Sequence, residues 1–265
     1  MYKEYEVFHN GNQLYCRRYG VGEPIVLIHG ACVDCDFYHN AAESLSRRYS
    51  VTTYDRRGSG RSDIPKGGDY SVKTQAADAA AVIRDIGSPC YVVAHSAATT
   101  IGMELAASYP ELVRMLMLHE VPVVECLAAG SPIIQTLETV RELIHAGKYT
   151  RALNRFMPLI GPADERKPVE VEDTSLYSKK NSYTFIRYEF ENIFYYSPQY
   201  ERLQSRQVIT SVGERSLSTH YGEITVEFAK RIGAPLRYLP GGHNSPNELP
   251  YEFAGFISGT IALTI

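Results

Sequence analysis

The sequence predicts an α/β protein with a mainly parallel β-sheet flanked by helices, on three observations. Short apolar runs rich in β-branched residues recur along the chain: "PIVLIHG", "SVTTYDRRG", "PCYVVAHS", "VRMLMLHE", "QVITSVGE" and "PLRYLPGG". These runs are continuously apolar rather than alternating, as strands covered on both faces must be. Helical patterns separate most of them, which is the rhythm of parallel strands joined by crossovers. At 265 residues, one large domain is long enough to bury such a sheet.

Taken in order, "YEVFHNGNQLYCRRYG" has Asn10-Gly11 at its centre and predicts a hairpin that adds antiparallel edge strands. The strand "PIVLIHG" ends in His29-Gly30, and "SVTTY" leads into the turn "DRRGSGRSD", where Asp55, Arg57, Gly58 and Gly60 are read as structural. "PCYVVAHS" then runs directly into a helix ending near Tyr109-Pro110. After "VRMLMLHE" the rhythm breaks. From Val121 to about Gln207 only helical segments are legible, which marks a helical insertion after the sixth strand. Within it, "SPIIQTLETVRELIHAG" places Ser131 as cap, Pro132 in the first turn, and Ile133, Leu137, Val140 and Ile144 on one face. "GPADERKPVEVEDTS" is polar and proline-containing, so a surface connection is expected there. "SYTFIRYEFENIFYYSPQY" is predicted to stripe Tyr183, Ile186, Phe190 and Ile193 on one face, with Phe185, Tyr188 and Tyr195 on another. Those rings either pack the insertion onto the main domain or roof a pocket for an apolar ligand.

Composition narrows the function. A hydrophobic fraction of 44% with 22% charged residues suits a globular chain, and a net charge of -3 gives no basic field for nucleic acid or an anionic membrane surface. No run approaches the ~18 apolar residues of a membrane helix. The first ten residues lack an apolar signal core, and five cysteines suit a reducing compartment, so a cytoplasmic protein is expected. Cys32-Val33-Asp34-Cys35 lacks the second ligand pair of a zinc site, and no phosphate loop or dinucleotide glycine pattern occurs. Neither metal nor cofactor is expected.

The chemistry concentrates in three places. Ser96 lies between a buried strand and a helix start, where a sharp turn lifts its hydroxyl and aims free N–H groups at a forming anion. The small-residue pattern G-x-S-x-G reads here Ala94-His95-Ser96-Ala97-Ala98, with alanines where strand and helix must nearly touch. The loop after His29-Gly30 is either a plain tight turn or one whose N–H groups face Ser96. Acyl transfer needs two preplaced donors for its oxyanion; Gly30, Ala31 and Ala97 are the substrate-binding candidates, with the N–H groups of Ala31 and Ala97 as the donors. Near the end, "LRYLPGGHNSPNELPYEFAGFI" puts His243 on a loop after the last strand, where an imidazole can take and return a proton.

These residues resemble the α/β-hydrolase fold superfamily, serine hydrolase branch. The strand ending in His29-Gly30, the "DRRGSGRS" turn, the elbow "AHSAAT", the helical insertion and the "GGHNSPNELPYEFAGFI" ending occur in that family's order across essentially the whole chain. The resemblance implies a core of residues 1–120 and 208–265, a helical cap of residues 121–207, and a triad with Ser96 as nucleophile and His243 as base. Its acid is displaced. The family most often places an aspartate where this chain has Ser216, in Gly213-Glu214-Arg215-Ser216, and no aspartate follows Asp173. Glu214 lies in that loop. Glu120 ends the sixth strand at the sheet's carboxyl edge, a second position that some members use, and it is preferred over Glu214. "LMLHEVP" resembles the same stretch of zearalenone-type lactone hydrolases, which use a glutamate there. His95 is read as lining or supporting the pocket, and His119 as packing.

The resulting expectation is a hydrolase of a carboxylic ester or lactone acting through an acyl-serine. Its substrate would be small, apolar or aromatic. Carbon–carbon hydrolysis, perhydrolysis of the haloperoxidase kind, and a non-catalytic ligand receptor are the alternatives on the same fold.

Overall fold

The computed structural model describes residues 1–65, 67–160 and 177–263. The polar stretch expected to be a surface connection, residues 161–175, lies outside them. Strands β1 (Tyr2–His9) and β2 (Asn12–Tyr19) form the hairpin, with φ of +49° at Asn10 and +74° at Gly11. Two successive left-handed residues give the turn whose twist matches paired strands. Then follow β3 (Glu23–Ile28), α1 (His39–Leu45), β4 (Tyr49–Tyr54), α2 (Val72–Ile86), β5 (Cys90–His95), α3 (Ala98–Ser108) and β6 (Val113–His119).

Between β6 and the next strand the described residues hold helices only. These are α4 (Pro132–His145), α5 (Tyr149–Phe156), α6 (Ser178–Thr184), a π-helical turn (Phe185–Glu189), α7 (Phe190–Phe194) and α8 (Tyr200–Gln204). The chain ends with β7 (Val208–Gly213), α9 (His220–Ile232), β8 (Leu236–Leu239), α10 (Ser245–Glu248) and α11 (Pro250–Ala262).

The eight strands form one sheet in the order β1-β2-β4-β3-β5-β6-β7-β8. β1 and β2 run antiparallel to their neighbours, and every pairing from β4 to β8 is parallel. Both faces are covered, which explains the unbroken apolar runs. Ile25 and Leu27 of β3 with Met115 and Met117 of β6 pack against α1 and α11 through Ala41, Leu45, Phe253 and Ile257. The intervening Val26, Ile28, Leu116 and Leu118 pack on the other face against α2, α3 and α9 through Ala79, Ile83, Ile101 and Phe228.

The insertion shares this second core. Phe156, Phe185, Phe190 and Phe194 interlock, with ring centroids 4.9 Å apart for Phe156–Phe185 and for Phe190–Phe194. The expected stripe needs one correction. A π-helical turn takes in more residues than an α-turn and rotates everything after it. Tyr183 is consequently 44% exposed while Phe185, assigned to the other face, is buried with Ile186, Phe190 and Ile193. Among the described residues no helix is long and apolar enough to cross a membrane.

Candidate active site

In an open parallel sheet, ligands bind beyond the carboxyl ends of the strands, where the strand order reverses. Here β4 flanks one side of β3 and β5 the other, so the loops leaving β3 and β5 diverge at that point. Gly30 follows β3, Ser96 follows β5, Glu120 follows β6, and His243 follows β8. All the singled-out residues therefore reach one edge.

Ser96 adopts φ +53°, a left-handed conformation that costs a non-glycine residue about 1 kcal/mol or more. The turn is held on both sides: Ser96 N donates to His119 O at 2.8 Å, and its own carbonyl accepts from Thr99 N and Thr99 Oγ1 at 2.9 and 2.7 Å. Ala97 caps α3 without a side-chain partner, so the free N–H groups of the helix start lie beside the serine. The closeness that the elbow requires comes from Gly102. A Cβ there would stand 2.9 Å from Leu116 and 3.1 Å from the Cβ of Ala94. The missing glycine of the elbow has in effect moved one turn along α3. Gly30 presses from the other side, where a Cβ would lie 3.1 Å from that of Ser96.

Glu120 repeats the trick on the neighbouring strand, with φ +58° and its N–H donating to Ser211 O at 3.0 Å. Its carboxylate is fully buried. Oε2 lies 2.6 Å from His243 Nδ1, and Oε1 accepts from Gly213 N at 2.9 Å. Burial pushes the Glu120 carboxyl above its ordinary value, while His119, the Ser216 hydroxyl, the Gly213 N–H and His220 pull it down. Ser216 thus fills the family's usual acid position as a buried neutral neighbour of the carboxylate. Its Oγ meets no group in strict hydrogen-bond geometry. Glu214 is exposed. Gly213 has no room for a side chain, since a Cβ would stand 2.6 Å from Gly241 O, and this contact lets the loop bearing His243 close over β7.

His243 is 3% exposed, and burial holds its imidazole well below the ordinary histidine range, neutral near pH 7. Because Nδ1 donates to the carboxylate, Nε2 is left unprotonated and able to accept a proton. The ring is flanked by Tyr221, with centroids 3.9 Å apart and planes 21° from parallel, and by His95 at 4.8 Å. Among the described residues Ser96 Oγ forms no strict hydrogen bond to His243, and the Tyr221 hydroxyl reaches the Ser96 side chain instead. Hydrogen bonds of this kind often tighten only when substrate arrives.

Two features escape sequence reasoning. Tyr221 lies in the first turn of α9, whose sequence "HYGEITVEFAKRI" reads as an ordinary amphipathic helix. The second is a cluster of buried imidazoles. His95 Nε2 donates to His243 O at 2.7 Å, leaving His95 Nδ1 without a partner, and His119 stacks on His95 at 5.5 Å. Burial drives His95 well below its ordinary pKa, His119 down to about 3 and His220 down to about 4. The recurrence of histidine at strand ends, in "AHS" and "LHE", is the only trace of this in the chain.

A cavity of about 30 Å³ lies over Ser96, walled by Ala31, Phe37, Ala97 and His243 from the sheet edge and by Phe156 and Phe194 from the insertion. Cys32 and Cys35 are free thiols: Cys32 sits half-buried at φ +64°, and Cys35 is buried with its N–H on Asp55 at 2.8 Å. Asp55 also accepts from Arg61 N, and Arg57 forks onto Asp78 at 2.6 and 2.7 Å. Gly58 and Gly60 take φ of +73° and +50° where side chains would collide with Tyr70 and Asp55.

Fold and site together define an α/β-hydrolase. The alpha/beta hydrolase fold family model matches residues 23–185, and the chain belongs to that family. It is 28% identical over 253 residues, covering 94% of this chain and 81% of the other, to the protein of Bacillus subtilis (strain 168) named "Uncharacterized hydrolase YraK". Among solved structures it superposes on a bromoperoxidase from Bacillus anthracis with a TM-score of 0.79 at 18% identity, covering 98% of this chain and 100% of that one. It superposes on an N-acyl homoserine lactone degrading enzyme with a TM-score of 0.72 at 22% identity, covering 96% and 99%. At those identities the two structures attest the shared fold alone.

Proposed function

We propose that this α/β-hydrolase cleaves a carboxylic ester or lactone through an acyl-serine intermediate, with Ser96, His243 and Glu120 as its triad. The observation that carries this reading is the 2.6 Å contact between His243 Nδ1 and the buried Glu120 carboxylate, at the sheet edge where Ser96 occupies its strained turn. Ser96 Oγ attacks the substrate carbonyl while its proton passes to His243 Nε2. Glu120 fixes the tautomer that can accept that proton and stabilises the imidazolium once formed. The N–H groups of Ala31 and Ala97, beside Gly30, receive the negative charge on the former carbonyl oxygen, each donor being worth about 3 to 4 kcal/mol in such sites. Collapse expels the alkoxide, which takes the proton from His243. In a lactone this alkoxide stays tethered to the acyl chain. Water then attacks the acyl-serine by the same proton route and restores Ser96.

Residues 121–207 act in this reading as a cap over a core of residues 1–120 and 208–265. Phe156, Ile160 and Phe194 of that insertion, with Phe37, give the cavity an apolar and aromatic lining. Its volume of about 30 Å³ is small beside the several hundred of a pocket for a drug-sized ligand. In this reading a larger substrate is admitted by movement of the insertion's aromatic wall. The lactone preference rests on the "LMLHEVP" resemblance. Five free thiols suit a reducing compartment such as the cytoplasm.

A fluorophosphonate probe tests the mechanism. Wild type should label at Ser96, and Ser96→Ala should lose both the label and at least 10⁴-fold of kcat toward aryl esters and lactones. A wild-type protein that stays unlabelled, or an alanine variant that keeps its turnover, would remove the acyl-serine from consideration.

A further inference from the structure

Arg56 stands at the position between Asp55 and Arg57 in the "DRRGSGRS" turn, and it is the largest of the fully buried side chains. All five of its guanidinium N–H groups are used. Nε donates to His29 O at 3.0 Å; Nη2 donates to Gly30 O at 3.0 Å and to Glu189 Oε2 at 3.1 Å; Nη1 donates to Gln75 Oε1 and Glu189 Oε1, both at 2.6 Å. Its backbone N–H donates to His29 Nε2 at 3.0 Å, which leaves His29 Nδ1 to donate to Gly30 O at 2.9 Å. One side chain and one imidazole therefore fix two successive carbonyls of the turn after β3.

That turn precedes the Ala31 N–H. The Gly30 carbonyl and the Ala31 N–H belong to one trans peptide, so they point in opposite directions. Anchoring the oxygen on Arg56 fixes the aim of the N–H on the other side, where Ala31 walls the cavity over Ser96. A donor aimed in advance at developing charge is the source of this kind of catalytic stabilisation. Glu189 closes the arrangement, since it lies in the π-helical turn of the insertion and is 1% exposed. The segment leading to it is fastened to the "DRRGSGRS" turn that carries Arg56. Lys180 Nζ donates to Gly60 O and Ser62 O, Asn181 Oδ1 accepts from Gly60 N at 2.8 Å, and Thr184 Oγ1 donates to Gly58 O at 3.0 Å.

We infer that Arg56 is a positioning residue that couples the seating of the helical insertion, through Glu189, to the orientation of the Ala31 oxyanion donor. The inference rests on the acyl-serine reading and deepens it. When the insertion is seated, Glu189 holds the guanidinium, which holds the Gly30 carbonyl and aims the donor. With Glu189 withdrawn, Arg56 loses two of its five bonds, its hold on the Gly30 carbonyl loosens, and that oxygen is left chiefly to His29 Nδ1. Cap closure and assembly of the oxyanion site then become a single event.

The experiment compares Glu189→Gln and Arg56→Lys with wild type, using an aryl ester and a trifluoromethyl ketone. The ketone carbonyl carbon bonds Ser96 Oγ while the serine proton moves to His243, leaving an oxyanion in the donor site. Both variants should lower kcat about 10- to 100-fold, a partial loss of one donor. KM should stay within about threefold, and ketone affinity should fall in parallel with kcat. A fall in thermal stability with unchanged kcat and ketone affinity would overturn the inference, because a purely structural ion pair predicts that result. Labelling of wild type by the fluorophosphonate keeps the two claims apart: no label sinks the acyl-serine reading and this inference with it, whereas normal labelling with intact variant kinetics sinks this one alone. Should the variants fail to fold, the wild-type protein still answers by NMR. Adding the ketone should shift the Ala31 amide and the Arg56 Nε–H resonances together, and a shift at Ala31 with Arg56 unmoved would refute the coupling.

Discussion

The corners after β5 and β6 share a backbone and differ in what they do with it. Ser96 and Glu120 both take left-handed φ, +53° and +58°, one residue beyond register partners His95 and His119. At the first corner the side chain faces a cavity and forms no strict hydrogen bond to His243. At the second the side chain is clamped from two directions, by His243 Nδ1 and Gly213 N. A nucleophile must be left free to move toward carbon. A carboxylate that orients a base must be held rigid, and once buried it is costly unless its oxygens are occupied. In the proposed triad, the same strained corner thus serves a loosely held reactant and a tightly held support.

Breaking the second corner should have the larger effect. Gly213 N–H claims the carboxamide oxygen in Glu120→Gln, so the NH₂ group faces His243 Nδ1. Nδ1 must then accept, and the proton moves to Nε2, where it blocks the serine. Loss of kcat by about 10⁴-fold is expected, as for other triads forced into the wrong tautomer. Glu214→Gln, at an exposed position, should leave kcat within about twofold. Steady-state kinetics on one ester decide between them, and a larger loss at Glu214 would transfer the supporting role.

What the chain discloses in advance divides along the same line. The parallel strands were legible because burial on both faces leaves nearly unbroken apolar runs, such as the fully buried "CYVVAH" and "VITSVG". The catalytic candidates were legible because they sit at strand ends, where local sequence carries the turn. The contacts between distant loops were not. Arg56 reads as one more arginine in a turn, Tyr221 as one residue of an amphipathic helix, and Gly102 as a helix-weakening glycine, because each acquires its role from a partner far away in sequence. The π-helical turn Phe185–Glu189 was missed for a related reason. Its aromatic stripe fits a 3.6-residue period until tertiary packing inserts a wider turn.

Acid should sharpen the comparison next, because His119, His220 and His243 crowd the Glu120 side. Five of the eight, His29, His95, His119, His220 and His243, are buried with pKa values pushed down mainly by burial. Above an unfolded pKa of about 6.5 both states are neutral at these positions and nothing is lost. As pH falls below it, the unfolded chain takes up protons that the folded chain refuses. Stability then declines by up to about 1.4 kcal/mol per pH unit for each such histidine, until the folded values near 3 for His119 and 4 for His220 are approached. The raised Glu120 carboxyl acts with the opposite sign and offsets a small part. Urea melts from pH 7.5 to 4.5 should show a steepening loss below 6.5, and His220→Phe should flatten it by one proton's slope. A level profile down to pH 5 would mean these imidazoles are not held neutral.

The smallest effect separates strain from bonding at the two corners. Ser96→Gly relaxes a left-handed residue, a gain of about 1 kcal/mol or more that the added freedom of the unfolded chain partly offsets. Against Ser96→Ala, which keeps the strain, its melting temperature should be about 1 to 3 °C higher. Glu120→Gly relaxes the backbone equally, yet it strands the Nδ1–H of His243 and the N–H of Gly213 in a buried site, a loss of about 1 to 3 kcal/mol for each. It should therefore melt below wild type. Equal shifts in the two glycine variants would mean that backbone conformation alone distinguishes these corners, and the clamp on Glu120 would carry no weight in the fold.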